Sequence, residues 1–169
     1  LELSELESSV TGAQLGSQAI SSSLKAGAIG LAIVMVFMIV MYAVPGIAAS
    51  LALAVYTTLV IATLYLFEIT LTLPGIAGII LGIGMAVDAN VIVFSRIREE
   101  IATGKSVNTS MKIGFQKAMS AILDGNITTL IAAFVLMGLG SGTVKGFAYT
   151  LMIGIILSMF TAMVVTRWI

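Results

Sequence analysis

Five long apolar runs dominate the chain, at about 26–44, 47–67, 73–95, 118–139 and 147–166. Each is close to the ~20 residues with which an α-helix crosses ~30 Å of hydrocarbon at about 1.5 Å per residue. Inside a bilayer no water is available to bond backbone groups, so each run must satisfy its own N–H and C=O groups, as a helix does. A barrel would need segments of alternating polarity, which these runs lack. Only 9% of the residues are charged, against ~25% in soluble domains. That is too few to clothe a water-soluble globule of this size, which excludes a soluble enzyme. The expected fold is all-α: a bundle of five transmembrane helices spanning 26–169.

Local signals set the expected boundaries. Pro45-Gly46 reads as a turn between the first two spans, and Glu68 closes the second. Pro74 suits the first turn of the third, where no N–H is needed. Gly138, Gly140 and Gly142 mark a tight connection before the last span. In the charged loop 96–117, Thr103-Gly104 reads as a helix stop and Ser106 as a helix start. Val107, Met111, Phe115, Ala118 and Ile122 then recur at helical spacing, so a surface helix should lead into the fourth span. Residues 1–25 are polar and read as an extramembrane lead-in, the remnant of a domain upstream. Ser17 and Ser21–Ser23 are candidates for the start of an interfacial helix. The chain begins at Leu1, so a longer parent protein is expected, and the acidic start is unlike a signal peptide.

The charges are few but uneven. Arg96, Arg98, Lys105, Lys112 and Lys117 lie in the loop, and Arg167 lies at the end of the last span. If the spans alternate, these six share one side and Lys25 and Lys145 share the other. The positive-inside rule then puts the loop and C-terminus in the cytoplasm and the N-terminus outside.

With neither Cys nor His in the chain, disulfides, thiol nucleophiles, haem ligation by His and the usual zinc sites are excluded, and proton chemistry falls to carboxylates. Asp88 is the outstanding candidate. It precedes Arg96 by eight residues, ~12 Å into the membrane, and intramembrane acids usually mark ion or proton paths. Asp124 reaches a similar depth from the same side in the antiparallel fourth span. Both acids open the same pattern, Asp88-Ala89-Asn90 and Asp124-Gly125-Asn126. Thr128, Thr129, Ser158 and Thr161 complete a possible polar layer. The competing readings are a protonated packing group for Asp88 and a helix N-cap or interface role for Asp124. Gly78, Gly82 and Ala86 form a small-residue stripe, first of all a helix-packing surface and alternatively a rail for sliding.

Longer stretches carry a resemblance. LTLPGIAGIILGIGMAVDANVIVFSRIREEI (71–101) closely resembles the fourth-helix region of the SecD family of protein-export membrane proteins, within the resistance-nodulation-division superfamily. DGNITTLIAAF (124–134) and VKGFAYTLMIGIILSMFTAMVVTR (144–167) are similar to the next two helices of that family. LGSQAISSSLKAGAIGLAIVMVFMIVMY (15–42) is similar to the segment where its extracytoplasmic domain re-enters the membrane. The resemblance implies half of a resistance-nodulation-division-like membrane domain in a bacterial or archaeal cytoplasmic membrane. It implies assistance to Sec-dependent protein translocation driven by the proton-motive force, without cofactor or metal and without an enzymatic reaction. The implied partners are SecF, a SecY-type channel, the translocating preprotein and the lipid membrane, with no nucleic acid. Asp88 matches the family's proton-linked aspartate, with Asn90, Asp124 and Asn126 as further relay candidates. The rival functions are a passive scaffold for translocase assembly and part of a proton-coupled small-molecule exporter.

Overall fold

The computed structural model describes residues 13–165. They form α1 (Ala13–Tyr42), α2 (Val44–Leu66), α3 (Leu73–Ala102), α4 (Val107–Leu139) and α5 (Thr143–Phe160), followed by a π-helical turn at Thr161–Val165. No strand occurs among the described residues, and all five α-helices are long and apolar enough to cross a membrane. The all-α bundle expected from the apolar runs is what forms.

Helices outrun the hydrophobic runs that announce them. α1 is already helical at Ala13, because no Pro interrupts 13–25 and the serines there continue the helix. The first part of the expected lead-in, 1–12, and Arg167 lie outside the described residues. α3 has 30 residues, ~45 Å at the α-helical rise, so its last turns beyond Ser95 stand clear of the hydrocarbon. α4 is a single 33-residue helix in which the expected surface segment and the fourth span are continuous.

The corners follow from local chemistry. Pro45 and Gly46 do not make the α1–α2 turn; they lie in the first turn of α2, where Pro needs no hydrogen-bond partner. The reversal rests on Ala43 alone, at φ 51°. Gly46 is obligatory there, since a Cβ would lie 2.1 Å from the Met38 carbonyl oxygen. Thr72 caps α3, its Oγ1 accepting a hydrogen bond from the Gly75 N–H at 3.1 Å, and Ser106 caps α4. Glu68 (φ 50°), Gly104 (φ 84°) and Gly142 (φ 52°) supply the positive-φ residues of the remaining turns.

α3 is the central element and touches all four other helices. Lipid tails are as apolar as leucine, so the bundle is held by close packing rather than by a drive out of water. Glycines set the distances. A Cβ on Gly78 would lie 2.4 Å from Thr150 Oγ1, and one on Gly82 would lie 2.4 Å from Tyr56 Oη. At the loop end, a Cβ on Gly114 of α4 would lie 2.7 Å from the Ile97 backbone nitrogen of α3. Met38, Leu53, Tyr56, Val60 and Val93 fill the core between these approaches.

Candidate proton-carrying site

The glycine contacts fix which way each face of α3 points. Gly78 and Gly82 meet α5. Ile76, Ile79 and Ile83 line a cleft of about 470 Å³ shared with α1 and α2. Met85 packs with Ala133 of α4 and Leu151 and Ile155 of α5. The face left over carries Ala77, Leu81, Gly84, Asp88 and Ser95, all exposed. Asp88 therefore stands on the outside of the five-helix bundle, not within it. A Cβ added at Gly84, one turn away, would meet nothing within 4 Å.

This placement divides the single polar layer expected from the sequence. Asn90 faces the interior, 3% exposed, and donates from Nδ2 to the Ala86 carbonyl at 3.3 Å. Ser158 and Thr161 are buried too, with hydroxyls bonded to carbonyls of their own helix. Two residues along a helix turn the chain by ~200°, so Asp88 and Asn90 necessarily face opposite ways.

Asp124 repeats the arrangement on α4. It is exposed, while Asn126 is half-buried and donates to the Ile122 carbonyl at 2.7 Å. Asp124 lies deep inside α4, far from the cap at Ser106, so the N-cap reading is excluded. Nine residues back along α3 from Ile97, and nine forward along α4 from its contact Gly114, put Asp88 about level with Leu123. The two acids thus share a depth. Thr128 and Thr129 donate to the Asp124 and Gly125 carbonyls at 2.9 and 3.0 Å, which occupies their hydroxyl protons locally.

Neither acid has a cationic partner among the described residues, whose salt bridges all lie beyond Ser95: Arg96 with Glu99, and Lys105 and Lys117 with Glu100. Arg98 is engaged as well, donating to the Met41 carbonyl at 3.2 Å and lying 5.0 Å from the Tyr42 ring centroid. The basic loop is thereby largely spent on holding helices together. The stripe of Gly78, Gly82 and Ala86 is buried, with α5 and Tyr56 against its glycines, so it is already occupied within the bundle.

Two features escape a reading of the sequence alone. Glu100 looks like one more surface acid, yet its carboxylate bridges two lysines from different segments. Tyr56 is wholly buried, and its hydroxyl has no hydrogen-bond partner among the described residues. The signal for Tyr56 was its position in mid-span, since membrane tyrosines favour the interfaces.

Comparison with known proteins places this architecture. The family model described as protein export membrane protein SecD/SecF, C-terminal, matches residues 2–169. A protein translocase subunit SecD from Acidaminococcus fermentans is 50% identical over 169 residues, covering 100% of this chain and 40% of the relative. The corresponding subunit of Synechocystis is 52% identical over 162 residues, covering 96% of this chain and 34% of the relative. The crystal structure of SecDF from Thermus thermophilus, described as a translocon-associated membrane protein, superposes with a TM-score of 0.89 at 38% identity. That match covers 92% of this chain and 22% of the solved one. The chain thus spans well under half the length of the relatives it matches.

Proposed function

Because the chain belongs to the SecD/SecF family of protein export membrane proteins, we propose that its five helices are where a SecD-type subunit draws on the proton-motive force, with Asp88 as the carrier. The observation that carries this reading is the position of Asp88 on the open face of the central helix, at membrane depth and without a cationic partner among the described residues. A bare carboxylate there costs ~2.5–3.5 kcal/mol on insertion scales. Taking up a proton removes that cost, and releasing it creates a charge that attracts a cationic group on a neighbouring helix. One charge moved through 100 mV supplies about 2.3 kcal/mol, enough to bias a two-state packing but not to unfold a preprotein.

The neighbour proposed for this face is SecF, whose helix would bring the missing cation or a water path, with a SecY-type channel and the preprotein as further partners. Asp124, at the same depth, is proposed as a second carboxylate of the site. Asn90 and Asn126 face inward and would act by positioning their helices. In a bacterial cytoplasmic membrane the loop 96–117 and the C-terminus face the cytoplasm, and the N-terminal side carries the extracytoplasmic domain of the full-length protein.

The deciding experiment replaces Asp88 by Asn in the full-length subunit assembled with its partners. The carrier reading expects intact assembly and loss of the proton-gradient-dependent part of export. A passive scaffold expects normal export from the neutral isostere, and that result would overturn the proposal.

A further inference from the structure

The Tyr56 hydroxyl is an anomaly within the membrane interior. It is at 0% exposure and has no hydrogen-bond partner among the described residues, although leaving a bond unmade is costly for a buried hydroxyl. It lies in the notch between Gly82 of α3 and Gly154 of α5, where a Cβ would come within 2.4 and 3.0 Å of it respectively. Phenylalanine would fill the same core without that penalty, so packing alone gives no account of the oxygen.

The neighbours of Gly154 supply one. Thr150, Gly154 and Ser158 lie at i, i+4 and i+8 on α5, and all three are buried. Opposite them on α3, Gly78, Gly82 and Ala86 keep the same spacing, with Thr150 against Gly78 and Gly154 against Gly82. If α5 advances one turn, ~5.4 Å, toward its own N-terminus, Gly154 comes opposite Gly78, Ser158 opposite Gly82 and Ala162 opposite Ala86. Along the stripe each new pair sets a small residue against a small residue, and Leu151 takes the place of Phe147 beside Gly78. The advance also brings the Ser158 side chain to the position beside the Tyr56 hydroxyl that Gly154 now holds. Ser158 Oγ now donates to the Ile155 carbonyl at 2.9 Å, which leaves its lone pairs able to accept from Tyr56.

We propose that Tyr56 is a positioning residue for the helix movement of the transport cycle, its hydroxyl being unpaired in the present register and bonded to Ser158 after α5 advances by one turn. The proposal rests on the proton-driven reading for its driving force, but the two registers exist independently of it. One-turn ratchets between packed helices are a known form of two-state switching. Here the hydroxyl raises the energy of one register and lowers that of the other.

The test uses the full-length subunit in membranes with its partners, in a background without other cysteines. Ala86→Cys and Ala162→Cys are combined, because by the register of Gly78 with Thr150 and Gly82 with Gly154 the advance brings these positions to one level. Disulfide yield is measured with and without an imposed proton gradient. The expected result is low yield at rest and higher yield under the gradient. Tyr56→Phe should cut the latter about fivefold, the weight of one hydrogen bond of ~1 kcal/mol. Ser158→Ala should do the same, and the double variant should be no worse than either single one. A merely structural hydroxyl predicts that Tyr56→Phe leaves the yield unchanged and melts no lower than the parent. Unchanged yield in both single variants, or no disulfide under any condition, overturns the proposal. If Asp88→Asn leaves the Tyr56-dependent yield intact yet export no longer follows the gradient, the register switch survives. If export still follows the gradient in Asp88→Asn, the carrier assignment alone fails.

Discussion

At the scale of single residues, two acids on α3 show how partners decide what a carboxylate does. Asp88 is exposed and has no cationic partner among the described residues. Three turns on, Glu100 is 4% exposed and holds Lys117 Nζ at 2.5 Å on one oxygen and Lys105 on the other. The Lys105 ammonium, and then that of Lys117, hold the Glu100 carboxyl below the usual carboxylate range. A lowered folded-state value means that the stabilisation is present at neutral pH and is lost as the pH falls through it. Melting of the detergent-solubilised protein should therefore show wild type above Glu100→Gln at neutral pH, with the gap closing in acid below about pH 4. A gap independent of pH would show that the bridge contributes by shape rather than charge. Asp88 stood out in the sequence by its depth within an apolar run. The bridge at Glu100 did not, because one of its partners, Lys117, is 17 residues away and only the fold brings them together.

Among the elements, the glycines of α3 divide into two kinds. Gly82 faces the Tyr56 hydroxyl at a distance no methyl group fits, while Gly84 faces open space. Gly82→Ala should cost ~1–3 kcal/mol through overpacking, and Tyr56→Phe should recover part of it. Gly84→Ala should be neutral or up to ~1 kcal/mol more stable through helix propensity. Denaturant unfolding in micelles measures both, and equal costs would mean that the helix crossing is misplaced. The number and order of the helices were plain from the apolar runs, and the cap at Ser106 from its residue type. The helix ends were not, because hydropathy marks where a helix meets lipid rather than where it stops, as α1 and α3 both show. Nor was the rotation of α3. Almost every side chain on it is apolar, so only the glycine contacts reveal that Gly78 and Gly82 point inward and Asp88 outward.

For the whole molecule, five alternating helices with a basic loop give a topology that is open to chemical test. The described chain has no cysteine, and both Asn108 and Ser141 are exposed at opposite ends of α4. Ser141→Cys should react with an impermeant thiol reagent added outside intact cells, and Asn108→Cys only after lysis. Labelling of Asn108→Cys in intact cells would invert the orientation. The open face of α3 has one more consequence, for supply rather than for transport. A subunit without a neighbour there leaves a carboxylate against lipid, and the cost shifts its folded population toward states that cellular proteases remove. The same residue proposed to carry protons would then act as a census mark, holding the number of subunits to the number of partners. In cells depleted of the partner, the full-length protein should be short-lived and Asp88→Leu should extend its lifetime; equal lifetimes would show that the face is not what the cell reads.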